Sequence, residues 1–146
     1  MRLEFFEKEI SILEKLDHPF IVAYYETFEN EENYYIVLEY VQLGSIKNLI
    51  AEKGILPTWL CKHFFCQMIS ALDYLHSTLG IALRDFKLDN ILIDRHYNIR
   101  VIDFGLGNEF KGNSSVLQTA CGSPRLYLHF YYITISIFIK HYTMFM

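Results

Sequence analysis

Apolar residues recur at Phe6, Ile10, Leu13 and, more loosely, Leu16, in steps of four, three and three. That spacing places them on one helical face and predicts an amphipathic helix from Leu3 to Leu16. Asp17-His18-Pro19 ends it, because proline disfavours helical geometry in the residue before it. Two β-like runs follow, Phe20 to Phe28 and Tyr34 to Val41, rich in Ile, Val and Tyr. The polar stretch Glu29 to Asn33 between them suits a hairpin turn. A short helix is predicted to about Lys53, with Ser45 as N-cap and Gly54 as stop. A longer one is predicted from Thr58 to Ser77, with its apolar stripe at Phe64, Met68, Leu72 and Leu75. Ile91-Leu92-Ile93 and Ile99-Arg100-Val101-Ile102 read as short strands, and Gly105 to Pro124 reads as polar loop.

Composition narrows the class. The 146 residues suffice for one ordinary domain, and 52% hydrophobic with 21% charged residues fits a globular chain and excludes disorder. A net charge of −4 gives no electrostatic case for nucleic acid or an anionic membrane, so neither is an expected partner. Met1-Arg2-Leu3-Glu4 turns charged at once, unlike a signal peptide, and no apolar run reaches the roughly 18 residues of a membrane span. The cytoplasm, or the nucleus, is the expected compartment. Cys61, Cys66 and Cys121 lack metal-ligand spacing and read as reduced thiols, the first two as packing residues of a helix.

The chemistry concentrates in two clusters. Leu83-Arg84-Asp85-Phe86-Lys87-Leu88-Asp89-Asn90 is the first, and Asp103-Phe104-Gly105 is the second, thirteen residues after Asn90. Singly each is weak, since a charged loop is usually a solvated turn and Asp-Phe-Gly arises by chance. Together they hold what phosphoryl transfer to a hydroxyl requires. Asp85 can act as the base that orients the acceptor. Lys87, two residues on, can neutralise the transferring phosphoryl group. Asn90 offers an amide oxygen and Asp103 a carboxylate, both suitable ligands for magnesium. Gly105 frees the backbone to turn directly afterwards.

These clusters resemble the catalytic loop and metal-binding Asp-Phe-Gly of eukaryotic protein kinases. Lys87 two residues after Asp85 is similar to the serine/threonine branch. Thr119-Ala120-Cys121-Gly122-Ser123-Pro124 is similar to the end of the activation loop in calmodulin-dependent and SNF1/AMPK-like kinases. The resemblance covers Leu3 to Pro124. It implies a two-lobed α+β fold, partial in this chain: residues 1–41 as small-lobe remnant and hinge, 42–124 as partial large lobe, and 125–146 as an unrelated apolar, aromatic tail. It implies ATP and Mg²⁺ as cofactors, proteins as substrates and an upstream activating kinase as a partner.

Residue by residue, the resemblance makes Glu9 the helix glutamate that pairs with the ATP-binding lysine; otherwise it is an exposed helix charge. Leu38 takes the gatekeeper position. Glu39-Tyr40-Val41 resembles the hinge, whose backbone at Glu39 and Val41 bonds adenine, or is an ordinary buried strand. Leu92 packs under adenine or is a core leucine. Leu13, Leu83 and Phe104 match the apolar stack that joins the lobes. Arg84 marks control by a phosphorylated Thr119, which is otherwise an unmodified hydroxyl. Ser123 matches the hydroxyl that contacts the catalytic aspartate and the substrate loop.

Four departures qualify the likeness. No Gly-x-Gly-x-x-Gly precedes Glu9, so Glu9 is expected to lack its lysine and the chain to turn over little. Leu83 stands where His or Tyr is usual, and cannot make that residue's side-chain hydrogen bond. Phe86 replaces a leucine, risking overpacking of about 1–3 kcal/mol. After Pro124 the expected Ala-Pro-Glu does not follow. The alternatives to a kinase are a non-catalytic interaction module built from the same fragment, or the product of an incomplete gene model.

Overall fold

A computed structural model describes residues 2–83, 85–104 and 108–109. Helix α1 (Arg2–Leu13) leads into the antiparallel hairpin β1 (Tyr24–Glu29) and β2 (Tyr34–Leu38). Helices α2 (Ile46–Lys53) and α3 (Thr58–Asp73) follow. Three short pieces come next: β3 (Ile81–Ala82), β4 (Ile91–Ile93) and β5 (Ile99–Val101), the last two forming a second antiparallel hairpin. Finally, β6 (Asn108–Glu109) pairs with β3.

α1 ends at Leu13, three residues short of the expected Leu16. A tertiary contact explains the early stop. The Tyr74 hydroxyl, beyond the end of α3, accepts from the Asp17 amide (3.0 Å) and donates to the Lys15 carbonyl (3.2 Å). The chain from Glu14 to Leu16 tightens into i→i+3 bonds at Lys15 and Leu16 as it approaches that anchor. Ile12, which the spacing did not place on the apolar face, is as buried as Leu13, while Phe6, Ile10 and Leu16 are half-buried.

The first β-like run splits in two. Only its second half enters β1; the first half runs alongside β5 instead, with Val22 N–H donating to the Val101 carbonyl (3.1 Å) and Val101 N–H to the Phe20 carbonyl (2.9 Å). The β1–β2 turn forms as its polar residues require. Asn30 Oδ1 accepts from the amides of Glu32 (3.0 Å) and Asn33 (2.8 Å), an Asx turn.

α2 has the caps read from its sequence. Ser45 Oγ accepts from the Asn48 amide (3.2 Å), and the Gly54 amide donates to the Ile50 carbonyl (2.8 Å). Gly54 has φ 73° and ψ −129°, a region that side chains rarely enter. α3 buries Leu60, Phe64, Gln67, Met68 and Ala71 along one face. The regular helix stops at Asp73, and Tyr74–Thr78 widens into one π turn, closed by Leu79 N–H to the Tyr74 carbonyl (3.3 Å). The expected stripe is therefore corrected at Leu72, which is half-buried while Ala71 is fully buried.

The core gathers Ile12, Leu13, Ile21 and Val22 with the buried face of α3, Leu75, Ile81 and the inward residues of β4 and β5. The β3–β6 pair corrects the expectation of loop after Gly105. Two-residue strands carry too little pattern to be read, and their pairing is long-range.

Candidate active site

The β4–β5 hairpin and the segment before it place the charged groups. Residues 85–90 end in a single 3₁₀ turn, Leu88–Asn90, with the Asn90 amide bonded to the Lys87 carbonyl (2.9 Å). Asn90 then enters the core, only 9% exposed. Its carbonyl accepts from the Ile102 amide (2.9 Å), just past β5. Its side-chain Nδ2 donates to the Asp85 carbonyl (3.1 Å) and to Asp103 Oδ2 (2.9 Å). One buried amide thus fastens the Asp85 loop to the end of the hairpin.

Asp85 and Lys87 form a close ion pair, Nζ to Oδ2. That bond, opposed by partial burial, lifts the Lys87 ammonium above the ordinary lysine value. Asp103 has φ 70°, a left-handed backbone that aspartate tolerates better than most residues and that costs free energy when no glycine is present. Phe104, next to it, is fully buried in the core with Leu13, and Leu83 and Phe86 pack against the same cluster half-buried. Glu9 of α1 reaches this region. Burial, and then the nearby Asp103 carboxylate, raise its carboxyl above the usual range.

The second group of expected residues gathers elsewhere. The Glu39 amide donates to the Ala23 carbonyl (2.8 Å), and Val41 is buried. Leu92 is half-buried between the fully buried Ile91 and Ile93, so it lies on the outer face of β4 rather than in the core. Leu38 packs on the core's edge. Arg84, Gly105, Thr119 and Ser123 lie outside the described residues, as does Cys121; Cys61 and Cys66 are exposed free thiols.

Two contacts went unread in the sequence. Lys47 of α2 pairs with Asp89 of the charged loop at 2.5 Å, and that bond lowers the Asp89 carboxyl. Arg100 of β5 donates from Nε to both oxygens of Glu39. Residues 42 and 61 positions apart leave no local signal.

The model of the protein kinase domain family matches residues 2–128. The chain belongs to the protein kinase family. Among curated relatives, this kinase segment is 43% identical over 117 residues to NUAK family SNF1-like kinase 1 of Mus musculus, covering 80% of this chain and 18% of that protein. It is 45% identical over 117 residues to NUAK family SNF1-like kinase 2 of Rattus norvegicus, with the same coverages. Serine/threonine-protein kinase GIN4 of Saccharomyces cerevisiae is 41% identical over 118 residues, covering 81% of this chain and 10% of that protein. The chain therefore spans less than a fifth of the length of these relatives. The partial fold agrees with the two-lobed α+β arrangement of kinases: the α1 and β1–β2 unit, then a helical unit carrying small hairpins. No helix among the described residues is long and apolar enough to cross a membrane.

Proposed function

We propose that this segment carries the catalytic loop and metal-binding half of a serine/threonine protein kinase site, which transfers the terminal phosphoryl of ATP to protein hydroxyls. The observation that carries this reading is the convergence of Asp85, Lys87, Asn90 and Asp103 around one buried amide. Asp85 holds the acceptor hydroxyl and takes its proton on a carboxylate oxygen. Lys87 exchanges its Asp85 partner for the phosphoryl oxygens as negative charge gathers there.

The donor pair suits Mg²⁺ as a partial shell, although no cluster of three or more His, Cys, Asp and Glu that could hold a metal by itself occurs among the described residues. Asp103 and the Asn90 amide oxygen supply two hard ligands, the kind of partial shell magnesium completes with water and substrate phosphates. When bound, the ion neutralises charge on the phosphates. Glu9, whose carboxyl is influenced by Asp103, takes the helix-glutamate role in this reading, and the Glu39–Val41 backbone with Leu92 takes the adenine. Arg84, Thr119 and Ser123 retain the regulatory and substrate-loop roles implied by the family, with an upstream kinase as the modifier of Thr119.

A chimera tests the reading. Residues 3–124 replace the matching segment of NUAK family SNF1-like kinase 1. The folded chimera should phosphorylate a serine peptide, and Asp85→Asn should reduce turnover at least a hundredfold. A chimera that folds and binds ATP with Mg²⁺ but transfers nothing would overturn the catalytic assignment.

A further inference from the structure

The proposed mechanism uses only the backbone of Glu39, yet its side chain sits in a built contact. Arg100 lies directly opposite Leu92 on the β4–β5 hairpin, so the two share its outer face. Its Nε donates to Glu39 Oε1 (3.1 Å) and Oε2 (3.0 Å), its Nη2 lies 3.4 Å from Asp94 Oδ2, and its Nη1 donates to the Ile99 carbonyl (3.0 Å). The three side chains are only 19% (Arg100), 24% (Glu39) and 10% (Asp94) exposed, so solvent screens them less than a surface pair. A planar guanidinium suits this arrangement; a lysine ammonium is a point charge without the fork.

The contact closes one end of a short span. Glu39 is held by Arg100 through its carboxylate and by Ala23 through its amide. At the other end, Leu43 N–H donates to the Ile93 carbonyl (3.0 Å), Ile93 N–H to the Gly44 carbonyl (2.9 Å), and Arg95 N–H to Gln42 Oε1 (3.2 Å). The hinge residues Tyr40 and Val41 lie between these anchors. Backbone bonding to a flat ligand depends on where those peptide groups sit, and an unanchored span must be ordered at binding.

We propose that Arg100 is a positioning residue for the purine, holding Glu39 so that the Glu39–Val41 backbone is pre-set against the face carrying Leu92. This rests on the reading that the 39–41 backbone takes adenine. Adenosine without metal is the probe, because it makes no use of Asp103 or Asn90. In the 146-residue chain, Arg100→Gln should weaken adenosine binding three- to tenfold and speed exchange of the residue 39 amide, which donates to the Ala23 carbonyl, while Ile91 and Ile93 keep their protection. Glu39→Gln should do the same, the double variant should be no worse than either alone, and Arg100→Lys should recover part of the loss.

Unchanged affinity or unchanged exchange of the residue 39 amide in Arg100→Gln overturns the proposal, as does an additive double variant. If Arg100→Gln also exposes β4 and β5, Glu39→Gln decides, since it leaves the Arg100–Asp94 pair in place; wild-type adenosine affinity there overturns the proposal. A wild-type chain that protects its Glu39 amide but binds no adenosine overturns the adenine reading itself, and this inference with it.

Discussion

The Asp85–Asn90 loop and the Glu39–Val41 segment hold their charged groups by opposite means. Asp85, Lys87, Asn90 and Asp103 lie within nineteen residues of one another, and a buried amide from among them ties the loop to the hairpin. In the second segment Glu39 meets Arg100, sixty-one residues away, which also lies against Asp94. A local constellation can be read as a motif. A long-range ion pair exists only once the β4–β5 hairpin has been laid beside Glu39.

Asn90→Ala should break the local solution most severely. It removes a buried group that donates to a carboxylate and a carbonyl, and leaves both acceptors without that donor. The expected loss is about 3 kcal/mol, read as a lower urea midpoint. A loss below about 1 kcal/mol would show that the loop does not rely on that amide.

Acid should act on both local and long-range contacts. Burial alone would raise the Asp94 carboxyl, but the backbone amides of Asn98 and His96 and the charge of Arg100 outweigh it and hold the group low. A depressed carboxyl stabilises fully above its ordinary value of 3.8, and that contribution is lost as pH falls through the depressed value. His18 acts earlier in the same titration. Its Nδ1 accepts from the Phe20 amide (3.2 Å), its Nε2 meets Ser70 Oγ (3.2 Å), and its ring stacks on Tyr74. Burial, partly offset by Asp17, lowers its proton affinity. Its contribution is therefore full above the ordinary 6.5 and declines as pH drops below it. Thermal melts from pH 8 down to 5 should fall in wild type and flatten in His18→Gln; parallel curves would remove His18 from the account.

Tyr97 sharpens the comparison by a smaller amount. It turns the β4–β5 hairpin with φ 61°, a left-handed backbone unfavourable for a large side chain. Tyr97→Asn should stabilise by about 0.5–1 kcal/mol, seen as a higher melting temperature without a change in adenosine binding. Lys47 offers the smallest effect. Its pair with Asp89 is also long-range, but the two side chains are 62% and 43% exposed. Lys47→Ala should change stability by less than about 0.5 kcal/mol. A larger loss would mean that range in sequence, rather than burial, marks the contacts that matter.

Legibility followed the same division. The caps of α2 were readable because Ser45 and Gly54 act on amides and carbonyls three or four residues away. The candidate phosphotransfer residues were readable because their spacing is short. The end of α1 was not, because Tyr74 supplies the contact that captures residues 15–17. Nor was the diversion of Phe20–Val22 to β5, since either strand partner suits the same apolar residues.

While the α+β arrangement came from the family resemblance, composition and pattern alone determined a globular chain, its helices, its first hairpin, the short strands of the second and the four candidate phosphotransfer residues. These depend on periodicity and on chemistry close along the chain. Only the tertiary structure decided that Asn90 fastens Asp85 to Asp103 through its amide nitrogen, that burial and the Asp103 charge raise the Glu9 carboxyl, and that Arg100 clasps Glu39. Each of these requires distant segments to meet, and a side chain carries no mark of its partner until packing brings the two together.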